Sequence, residues 1–283
     1  MRTKHLAKEA MWRAWRIVEP AAAPALLAVN ASAGARLHRG SGASAPVTAY
    51  CVYRSKNATY VREIVQNLPT GSTAHLHALD HQATSLTPWT RSHGPGPRIP
   101  LLQSLIDRHQ PSEGRHLMIF DDDVTFLGDG ARQFPGYCDR AGLDIAQPAH
   151  QPKSIHSFRV TRVAPLSTVR LTRFVESGPV VLLSPGAQGE VLPFPNDARM
   201  GWGLDVYWSG LIEKGLRLGV VDATPVIHHG AVAADYDNAD EYAYQEKYLA
   251  RAGISSPHEL AGNVGFTWRP WQRSAKWRDG AAS

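Results

Sequence analysis

An α/β fold with a mostly parallel central sheet flanked by helices is the architecture that this 283-residue sequence predicts. Short apolar runs alternate with segments whose apolar residues recur at helical spacing, which is typical of strands joined by crossover helices. Aspartates directly follow two of the apolar runs, and the ligands of parallel sheets gather at the carboxyl ends of the strands. With 43% apolar and 19% charged residues, the chain can bury a core.

The individual elements follow from these patterns. In the first helix Val61, Ile64 and Val65 share one face, and Asn57 can cap its start. The predicted elements are a strand over 47–53, a helix over 57–68, a strand over 73–79, a long loop over 81–98, a helix over 101–109, a strand over 116–120, strands at 143–146, 180–183 and 218–221, and helices over 204–211 and 241–252.

Basic charge is concentrated at the two ends of the chain. Residues 1–46 comprise a predicted helix over 4–18 and a linker rich in Ala, Gly, Ser and Pro, and they carry a net charge of +5. The Trp-rich tail 264–283 carries +3, whereas the folded domain predicted over 47–263 carries −3. A nucleic-acid surface usually lies on the folded domain itself. The distribution therefore argues against a nucleic-acid partner. The basic ends favour solubility, or contact of an end with an anionic membrane or partner.

The cysteines and the apolar runs suggest a compartment. Cys51 and Cys138 stand in neither a CxxC nor a metal-ligand spacing, and we expect buried thiols in a reducing compartment. No apolar run reaches the roughly 18 residues that a membrane-spanning helix needs. Pro20 and Pro24 interrupt the segment that a secretory signal would use. The sequence predicts a cytoplasmic location, with membrane association through the basic ends.

Three consecutive aspartates, Asp121, Asp122 and Asp123, end the apolar run Leu117–Phe120. In an extended chain the first and third point to one side and the second to the other. Two carboxylates on one side suit Mg²⁺ or Mn²⁺, with substrate phosphates completing the coordination. An acidic turn after a strand is the alternative. Asp80 ends an earlier predicted strand at the same edge, and we expect it to contact a nucleoside.

Two enzyme classes share the pattern Asp121–Thr125. In GT-A glycosyltransferases a D-x-D binds the metal that holds a nucleotide-sugar diphosphate. In haloacid-dehalogenase-type phosphatases D-x-D-x-[TV] supplies a nucleophile, here Asp121. The phosphatase motif normally stands on the first strand, whereas about 70 residues of α/β pattern precede it here. A phosphatase also needs a later acidic pair, and the run that ends at Asp222 offers one acid.

The run from Gly201 to Asp205, which reads Gly-Trp-Gly-Leu-Asp, precedes a predicted helix. Glycines on both sides of an aromatic residue allow tight turns and close approach of a ligand. Trp202 offers a face on which a sugar ring can stack, and Asp205 offers a carboxylate that can accept a proton. A packed Trp beside a helix-capping Asp is the alternative.

Two further polar residues adjoin predicted strands. His228 ends an apolar run, and its imidazole can ligate a metal or simply belong to the surface or the core. Glu176 stands between apolar residues before the strand at 180–183, and it can bind sugar hydroxyls or be a strand-edge charge. The same cleft is a candidate location for Ser154, His156 and Arg159.

In this order the motifs resemble those of GT-A glycosyltransferases and, more narrowly, an uncharacterised plant glycosyltransferase-like family described as a domain of unknown function. The resemblance spans about 117–230 and begins more loosely at Val47. It is carried by the segments 120–123, 142–149, 154–162, 174–176, 201–205 and 219–228. Each motif is short, but together and in order they are specific.

The resemblance implies a nucleotide-binding GT-A fold, which is a Rossmann-type sandwich. By position it implies metal ligation by Asp121, Asp123 and His228, donor binding by Asp122 and Glu176, acceptor binding by Trp202 and Gly203, and a general base at Asp205. Two departures concern the donor or the acceptor. Where the plant family has Q-P-A-L-D this chain ends in His150-Gln151, which loses the acid, and the second His of its H-H pair is Ser157 here.

The resulting hypothesis is a metal-dependent, inverting hexosyltransferase. It would move a sugar from a UDP- or GDP-sugar to an acceptor hydroxyl, with Mn²⁺ or Mg²⁺ as cofactor and Asp205 removing the acceptor proton. Three alternatives stay open: the phosphatase, a catalytically silent module that binds a sugar or nucleotide, and a retaining transferase.

A variant that begins at Ala45 tests the role of the basic N-terminus. We expect it to fold and to keep donor turnover, because residues 1–46 lie outside the resemblance. It should lose association with anionic vesicles, and the full chain's association should weaken as salt screens the charge. Circular dichroism, donor hydrolysis and vesicle sedimentation measure these properties. An insoluble or inactive variant would mean that the predicted first helix belongs to the core.

Overall fold

The computed structural model describes residues 44–230, 239–272, 274, 275 and 277. The helix predicted over 4–18 and most of the linker predicted over 20–46 lie outside these residues. The strands are β1 (Val47–Tyr53), β2 (Thr73–Ala78), β3 (Thr90–His93), β4 (His116–Phe120), β5 (Val124–Phe126), β6 (Ile145–His150), β7 (Val169–Thr172), β8 (Val180–Leu183), β9 (Leu218–His228) and β10 (Asn263–Trp268). The α-helices are α1 (Ala58–Gln66), α2 (Arg98–Arg108), α3 (Gly130–Ala141), α4 (Pro185–Val191), α5 (Leu204–Gly210) and α6 (Ala239–Ala252). None of these helices is long and apolar enough to cross a membrane.

The strands form one sheet in the order β10-β7-β9-β6-β8-β4-β1-β2-β3, and β5 pairs with the end of β9. Strands β3, β2, β1 and β4 are parallel. Strand β8 is antiparallel to both β4 and β6, so β6 and its parallel neighbour β9 run in the same direction as β4. The carboxyl ends of β1, β2, β4 and β9 therefore lie along one edge. The predicted α/β fold with a mostly parallel central sheet is confirmed.

Helices cover both faces of the sheet, and β1 shows how one strand serves two cores. Ala49, Cys51 and Tyr53 face the apolar cluster that α1 and α3 complete. Tyr50 and Val52 face a second cluster, completed by α2, α4, α5 and α6. Successive residues of a strand point to opposite faces, so a strand buried on both faces reads as a continuous apolar run. This is why β1, β4 and β8 were recognisable in the sequence.

Elements without a continuous apolar run were not predicted. They are β3, β5, β7, β10, α3 and α4. Strand β3 reads Thr-Arg-Ser-His and lies inside the segment predicted as a loop. Helix α3 contains Gly130, Pro135 and Gly136, residues of low helix propensity. Its apolar face packs against the sheet through Phe134 and Tyr137. Tertiary burial therefore decides its conformation over local propensity.

The C-terminal segment predicted as a separate tail contributes to the sheet and the core. Strand β10 pairs antiparallel with β7, and Trp268, Ala275 and Trp277 are buried. The indole of Trp277 donates a hydrogen bond of 2.8 Å to the carbonyl of Ala141 at the end of α3. The register shifts within β10, where Gly265 has a positive φ of 91°. This irregularity breaks the period of two by which a strand is recognised.

A buried ion pair joins β7 and β9 to the segment before β7. The guanidinium of Arg170 in β7 donates to both carboxylate oxygens of Asp222 in β9, at 2.8 and 2.9 Å. It also donates to the carbonyls of Val160 and Arg162, and Asp222 accepts from the backbone of Ala164. Because both charges are almost fully buried, the structure depends on this complete set of partners.

Replacement of Trp268 by Ala tests whether the C-terminal segment belongs to the core. Trp268 is 1% exposed and packs edge-on against Tyr137. We expect the free energy of unfolding to fall by about 3–5 kcal/mol in a urea titration. Trp271→Ala is the matched control, because Trp271 is 68% exposed and its loss should cost no more than about 0.5 kcal/mol. If both replacements lowered the free energy of unfolding by the same small amount, the C-terminal segment would be a tail that is not packed into the core.

Candidate active site

A cleft of about 530 Å³ lies at the edge where the carboxyl ends of the parallel strands meet. Its position follows from the sheet, because β1 and β4 end there and β8 begins there. Of the residues predicted for the site, its lining includes Asp121, Asp122, Asp123, Glu176, Trp202, Asp205 and His228. Asp80 and Gly203 are not among the described residues that line it.

Asp121 is held by a cation from helix α2. The Arg98 guanidinium lies 2.7 Å from Oδ1 of Asp121 and also donates to the carbonyl of Ser177. On the other side, a Cβ on Gly178 would stand only 2.6 Å from Oδ2 of Asp121, so the backbone leaves no room for a side chain there. Burial raises the pKa of Asp121, and Arg98 and His228 offset this only in part. The carboxylate depends on these cations to stay ionised.

Asp122 faces a different element. It is 3% exposed and accepts hydrogen bonds from the backbone of Arg54, at 2.7 Å, and from its guanidinium, at 3.3 and 3.4 Å. Arg54 directly follows β1, the parallel neighbour of β4. Asp122 thus fixes the end of β1 through Arg54. Its contact with a donor stays a prediction.

Asp123 and His228 form a pair. Strand β5 folds back along the end of β9, so that Val124 lies opposite His228 and the backbone of His229 donates to the carbonyl of Asp123. This places Nε2 of His228 3.1 Å from Oδ1 of Asp123. Burial raises the pKa of Asp123, but the hydrogen bond and charge of His228 outweigh it and the net shift is downward. Burial lowers the pKa of His228, but Asp123 and Asp121 outweigh it and the net shift is upward.

The chemistry of this pair fits a divalent cation. The 3.1 Å between the Asp123 oxygen and the His228 nitrogen is a hydrogen-bond distance, and a cation bound there would replace the proton that the two atoms share. Carboxylate oxygen and imidazole nitrogen are both ligands that Mn²⁺ accepts. A side chain on Gly230 would overlap Oδ2 of Asp123, so a bare backbone is required beside this carboxylate.

Asp121, the third predicted metal ligand, is not grouped with Asp123 and His228. Among the described residues no three His, Cys, Asp or Glu side chains stand together as ligands for one metal ion. Asp121 instead has its Oδ1 on Arg98. In this structure the predicted set is therefore a hydrogen-bonded pair, Asp123 and His228, next to an ion-paired carboxylate.

Glu176 enters the cleft from the turn before β8, and several groups hold it. Its Oε1 accepts a hydrogen bond of 2.5 Å from the hydroxyl of Thr161. Its backbone N–H donates to the side-chain oxygen of Gln147. Its Oε2 lies 3.5 Å from Nε2 of His150. The Gln147 and His150 partners come from β6, the strand that carries the Gln-Pro-Ala segment of the sequence resemblance.

Asp205 lies at the start of helix α5 and is 6% exposed. Its Oδ1 accepts a hydrogen bond of 2.8 Å from the backbone of Val206. Burial, together with the negative charge of Glu176, raises the pKa of Asp205 to about 7. A carboxylate with such a pKa can exchange a proton near neutral pH, which is the requirement for a general base or acid.

The Gly-Trp-Gly loop presents Trp202 and packs Gly203 away. Trp202 lines the cleft and meets the half-exposed Tyr242 of α6 edge-on, with ring centres 4.8 Å apart. Gly203 has a positive φ of 83°, and a Cβ there would stand 2.9 Å from the Tyr248 ring. Gly203 does not line the cleft, and its predicted acceptor contact stays a prediction. Glycine is needed because helix α6 packs against the loop.

Asp80 lies beside the cleft and caps a turn. Its carboxylate accepts from the backbone and the hydroxyl of Ser55, at 3.0 and 2.8 Å, and from the backbone of His81. These bonds lower the pKa of Asp80, although burial acts in the opposite direction. Its neighbour Leu79 lines the cleft. The predicted nucleoside contact of Asp80 is thus not visible in the lining.

Several lining residues were missed by sequence reasoning. Arg98 follows the Gly- and Pro-rich run 94–97, which reads as a loop, so only its proximity to Asp121 reveals it. Phe158 and His258 pack ring against ring at the rim. Ser154, His156 and Arg159, which were candidates for the lining, are not among the described lining residues, whereas Ser157 and Phe158 are.

The later acidic residue that phosphatase chemistry would need, Asp222, lies away from the cleft. Asp222 is fully buried, and its two oxygens are occupied by Arg170 and the backbone of Ala164. It does not line the cleft that contains Asp121. The acid that the sequence offered for phosphatase chemistry therefore stabilises the fold.

No protein-family model matches the chain, and no curated protein matches it in sequence. Among solved structures the fold is similar to that of GalNAc-T7, whose crystal structure was determined with UDP, GalNAc and Mn²⁺. The identity is 10%, the TM-score 0.52, and the match covers 73% of this chain and 48% of that chain. The chain therefore spans about half the length of GalNAc-T7.

A second similar structure is that of residues 1–349 of TarS from S. aureus, with 10% identity, a TM-score of 0.45, and coverage of 72% of this chain and 64% of that chain. At such identities a likeness indicates the fold and leaves the function to be argued from the site. Together with the sheet order and the cleft at the carboxyl ends of the strands, the likeness to GalNAc-T7 identifies the architecture as the GT-A glycosyltransferase fold.

Proposed function

We propose that this protein is a metal-dependent, inverting glycosyltransferase that moves a sugar from a nucleotide-diphosphate donor to an acceptor hydroxyl. The observation that carries the proposal is the convergence of three groups in one cleft: the Asp123–His228 pair, the Asp205 carboxylate and the Trp202 ring. The resemblance of the motifs to the plant glycosyltransferase-like family supports the same activity.

The donor would bind along the ends of β1, β4 and β9. Asp123 and His228, with Asp121 once it is released from Arg98, would hold Mn²⁺ or Mg²⁺. The bound ion supplies positive charge that stabilises a leaving nucleoside diphosphate. Arg54 and Arg98 line the same end of the cleft and add positive charge there. The UDP and Mn²⁺ of GalNAc-T7 make UDP-sugar and Mn²⁺ the first donor and cofactor to test, with GDP-sugar and Mg²⁺ next.

The acceptor would bind on the side of α5 and α6. Asp205, with its pKa of about 7, would accept the proton of the attacking hydroxyl. Trp202 would stack on a sugar ring, and Tyr242 fixes the Trp202 ring from the edge. Attack from the face opposite the leaving group makes the reaction inverting, and a retained anomer in the product would favour the retaining alternative.

Cytoplasmic location and peripheral membrane contact are part of the proposal. Cys51 and Cys138 are free, buried thiols. The two ends of the chain carry net charges of +5 and +3. Exposed Phe266 and Trp271 lie in the C-terminal segment, where aromatic and basic residues together suit an anionic lipid surface.

The test of the proposal is a thermal-shift screen of UDP, GDP, CDP and dTDP with and without Mn²⁺. A ligand that binds only the folded state raises the unfolding temperature. We expect one nucleotide to do so more strongly with metal, and a sugar transfer assay with the matching donor then separates an enzyme from a catalytically silent binding module. Absence of any nucleotide effect would overturn the proposal.

Replacement of Asp123 or His228 by Ala should uncouple metal and nucleotide binding. We expect each change to weaken nucleoside-diphosphate binding in Mn²⁺ by at least the roughly 10- to 100-fold that loss of a metal ligand's hydrogen-bond partner costs. In EDTA the variants should bind like wild type. Calorimetric titration in both conditions measures this. Equal weakening in EDTA and in Mn²⁺ would contradict the assignment of both residues.

Replacement of Asp205 by Asn should lower turnover far more than donor binding. Loss of a general base costs about 10²–10⁴-fold in rate, so kcat should fall by that range while nucleotide affinity changes little. In wild type the base must be ionised, so kcat/KM, which reports the free enzyme, should rise about tenfold per pH unit below the pKa of about 7 and level off above it. The variant should lose this limb of the pH profile.

Asp139→Asn is the matched control for Asp205→Asn. Asp139 is a carboxylate paired with His116, which begins β4 at the end opposite the aspartates, and it does not line the cleft. Its loss should leave kcat and the pH profile unchanged. If Asp205→Asn transfers sugar at a rate within about threefold of wild type, Asp205 is not the base. Glu176 as the base, or a retaining mechanism, would then be the favoured hypothesis.

A further inference from the structure

A fully buried histidine stands directly behind Glu176. His150, the last residue of β6, is 0% exposed. Its Nδ1 lies 2.8 Å from the hydroxyl of Ser154, and its Nε2 lies 3.5 Å from Oε2 of Glu176. Nε2 has no hydrogen-bond partner within bonding distance among the described residues. A buried polar atom without a bond is costly, and the Glu176 carboxylate is the group that this nitrogen faces.

Ser154 sets the orientation of the imidazole. Its hydroxyl oxygen accepts a hydrogen bond of 2.9 Å from the backbone N–H of His228. The hydroxyl hydrogen has two acceptors within reach, Nδ1 of His150 at 2.8 Å and the carbonyl of Ile155 at 3.1 Å. A lone pair on Nε2 would face the Glu176 carboxylate, which favours the hydrogen on Nδ1 as acceptor and the ring proton on Nε2, directed at Glu176. The unit Glu176–His150–Ser154 thus extends from the cleft to the end of β9, with a 3.5 Å ion-pair contact at Glu176 and hydrogen-bond distances at Ser154.

Glu176 keeps open acceptor capacity on its cleft side. Oε1 receives the Thr161 hydroxyl and Oε2 faces His150, but each carboxylate oxygen can accept about two hydrogen bonds. The side chain is 13% exposed, and it is a lining residue of the cleft. The groups behind it restrain its position without using its full capacity, which leaves acceptor positions for hydroxyl groups of a ligand.

We propose that His150 is a positioning residue that holds Glu176 for the hydroxyls of the transferred sugar, and that Ser154 holds His150 in turn. The proposal rests on the proposed glycosyl transfer and assigns the recognition of the sugar, as distinct from the nucleotide, to this unit. It also gives a role to the position where the sequence departs from the plant family, because His150-Gln151 replaces the Leu-Asp of that family's motif.

The experiment compares affinity for a nucleotide with affinity for its sugar conjugate. Calorimetric Kd values are measured with Mn²⁺ for UDP, UDP-glucose, UDP-galactose and UDP-N-acetylglucosamine, and for GDP and GDP-mannose, on wild type and on His150→Gln. We expect His150→Gln to bind the free nucleotide within about twofold of wild type. The extra affinity that the sugar confers should fall by about 10- to 100-fold, the range for loss of a hydrogen bond between a sugar hydroxyl and the charged Glu176 carboxylate.

A double-mutant cycle separates positioning from an independent contact. Glu176→Gln should lose the same sugar-dependent affinity, and the double variant His150→Gln/Glu176→Gln should lose no more than Glu176→Gln alone, because His150 acts only through the carboxylate. His116→Gln is the matched control. His116 is a buried histidine with a carboxylate partner, Asp139, at the far end of β4, and its replacement should leave the ratio of the two affinities unchanged.

Three outcomes would overturn the proposal: equal weakening of nucleotide and nucleotide-sugar binding in His150→Gln, additive losses in the double variant, or unchanged sugar-dependent affinity. If His150→Gln does not fold, Ser154→Ala takes its place, because it keeps the imidazole of His150 and removes only the hydroxyl that orients it. We then expect a smaller fall in the affinity that the sugar confers. Unchanged affinity in Ser154→Ala would then reject the unit. Failure of wild type to bind any of the nucleotides would instead reject the proposed function on which the inference rests.

Discussion

Three neighbouring negative charges at the end of one strand are the constraint around which the cleft is built. Two unit charges about 4 Å apart at a protein surface interact by about 4 kcal/mol, so the aspartates 121–123 need partners to share the end of β4. Each has a different one, namely Arg98, Arg54 and His228. These partners come from α2, from the residue after β1 and from the end of β9. Neutralising the three carboxylates therefore draws three separate elements to one edge of the sheet.

The glycines of the cleft follow from the same constraint. A Cβ on Gly178 would stand 2.6 Å from Asp121, and a Cβ on Gly230 would overlap Asp123. Either side chain would displace the carboxylate from the position in which its other oxygen meets Arg98 or His228. For Asp121 and Asp123 the bare backbone and the partner side chain thus form one arrangement, with one carboxylate oxygen on the partner and the other beside a glycine.

The sequence was informative where a residue's own type and neighbours carry the signal. The continuous apolar runs of β1 and β4 and the acidic cluster at 121–123 are of this kind, and Asp205 after its Gly-Trp-Gly run falls in the same cleft as that cluster. Arg98 and His150 are of the other kind. Arg98 is one basic residue beside a Gly-Pro loop and His150 one of 13 histidines, and each gains its meaning from a carboxylate 23 or 26 residues away in the chain. Such partners are chosen by the crossover connections, which local patterns do not encode.

Two carboxylates of the cleft, Glu176 and Asp205, differ in their surroundings. Glu176 is held by Thr161 and by the strand β6, whereas Asp205 has its pKa raised to about 7 by burial and, to a lesser extent, by the charge of Glu176. Hydroxyl groups that donate to Glu176 stabilise its charge locally and weaken its repulsion of Asp205, which favours ionised Asp205. In a cleft that works as proposed, a sugar bound at Glu176 therefore increases the fraction of Asp205 that is ionised, and so able to accept a proton, at neutral pH.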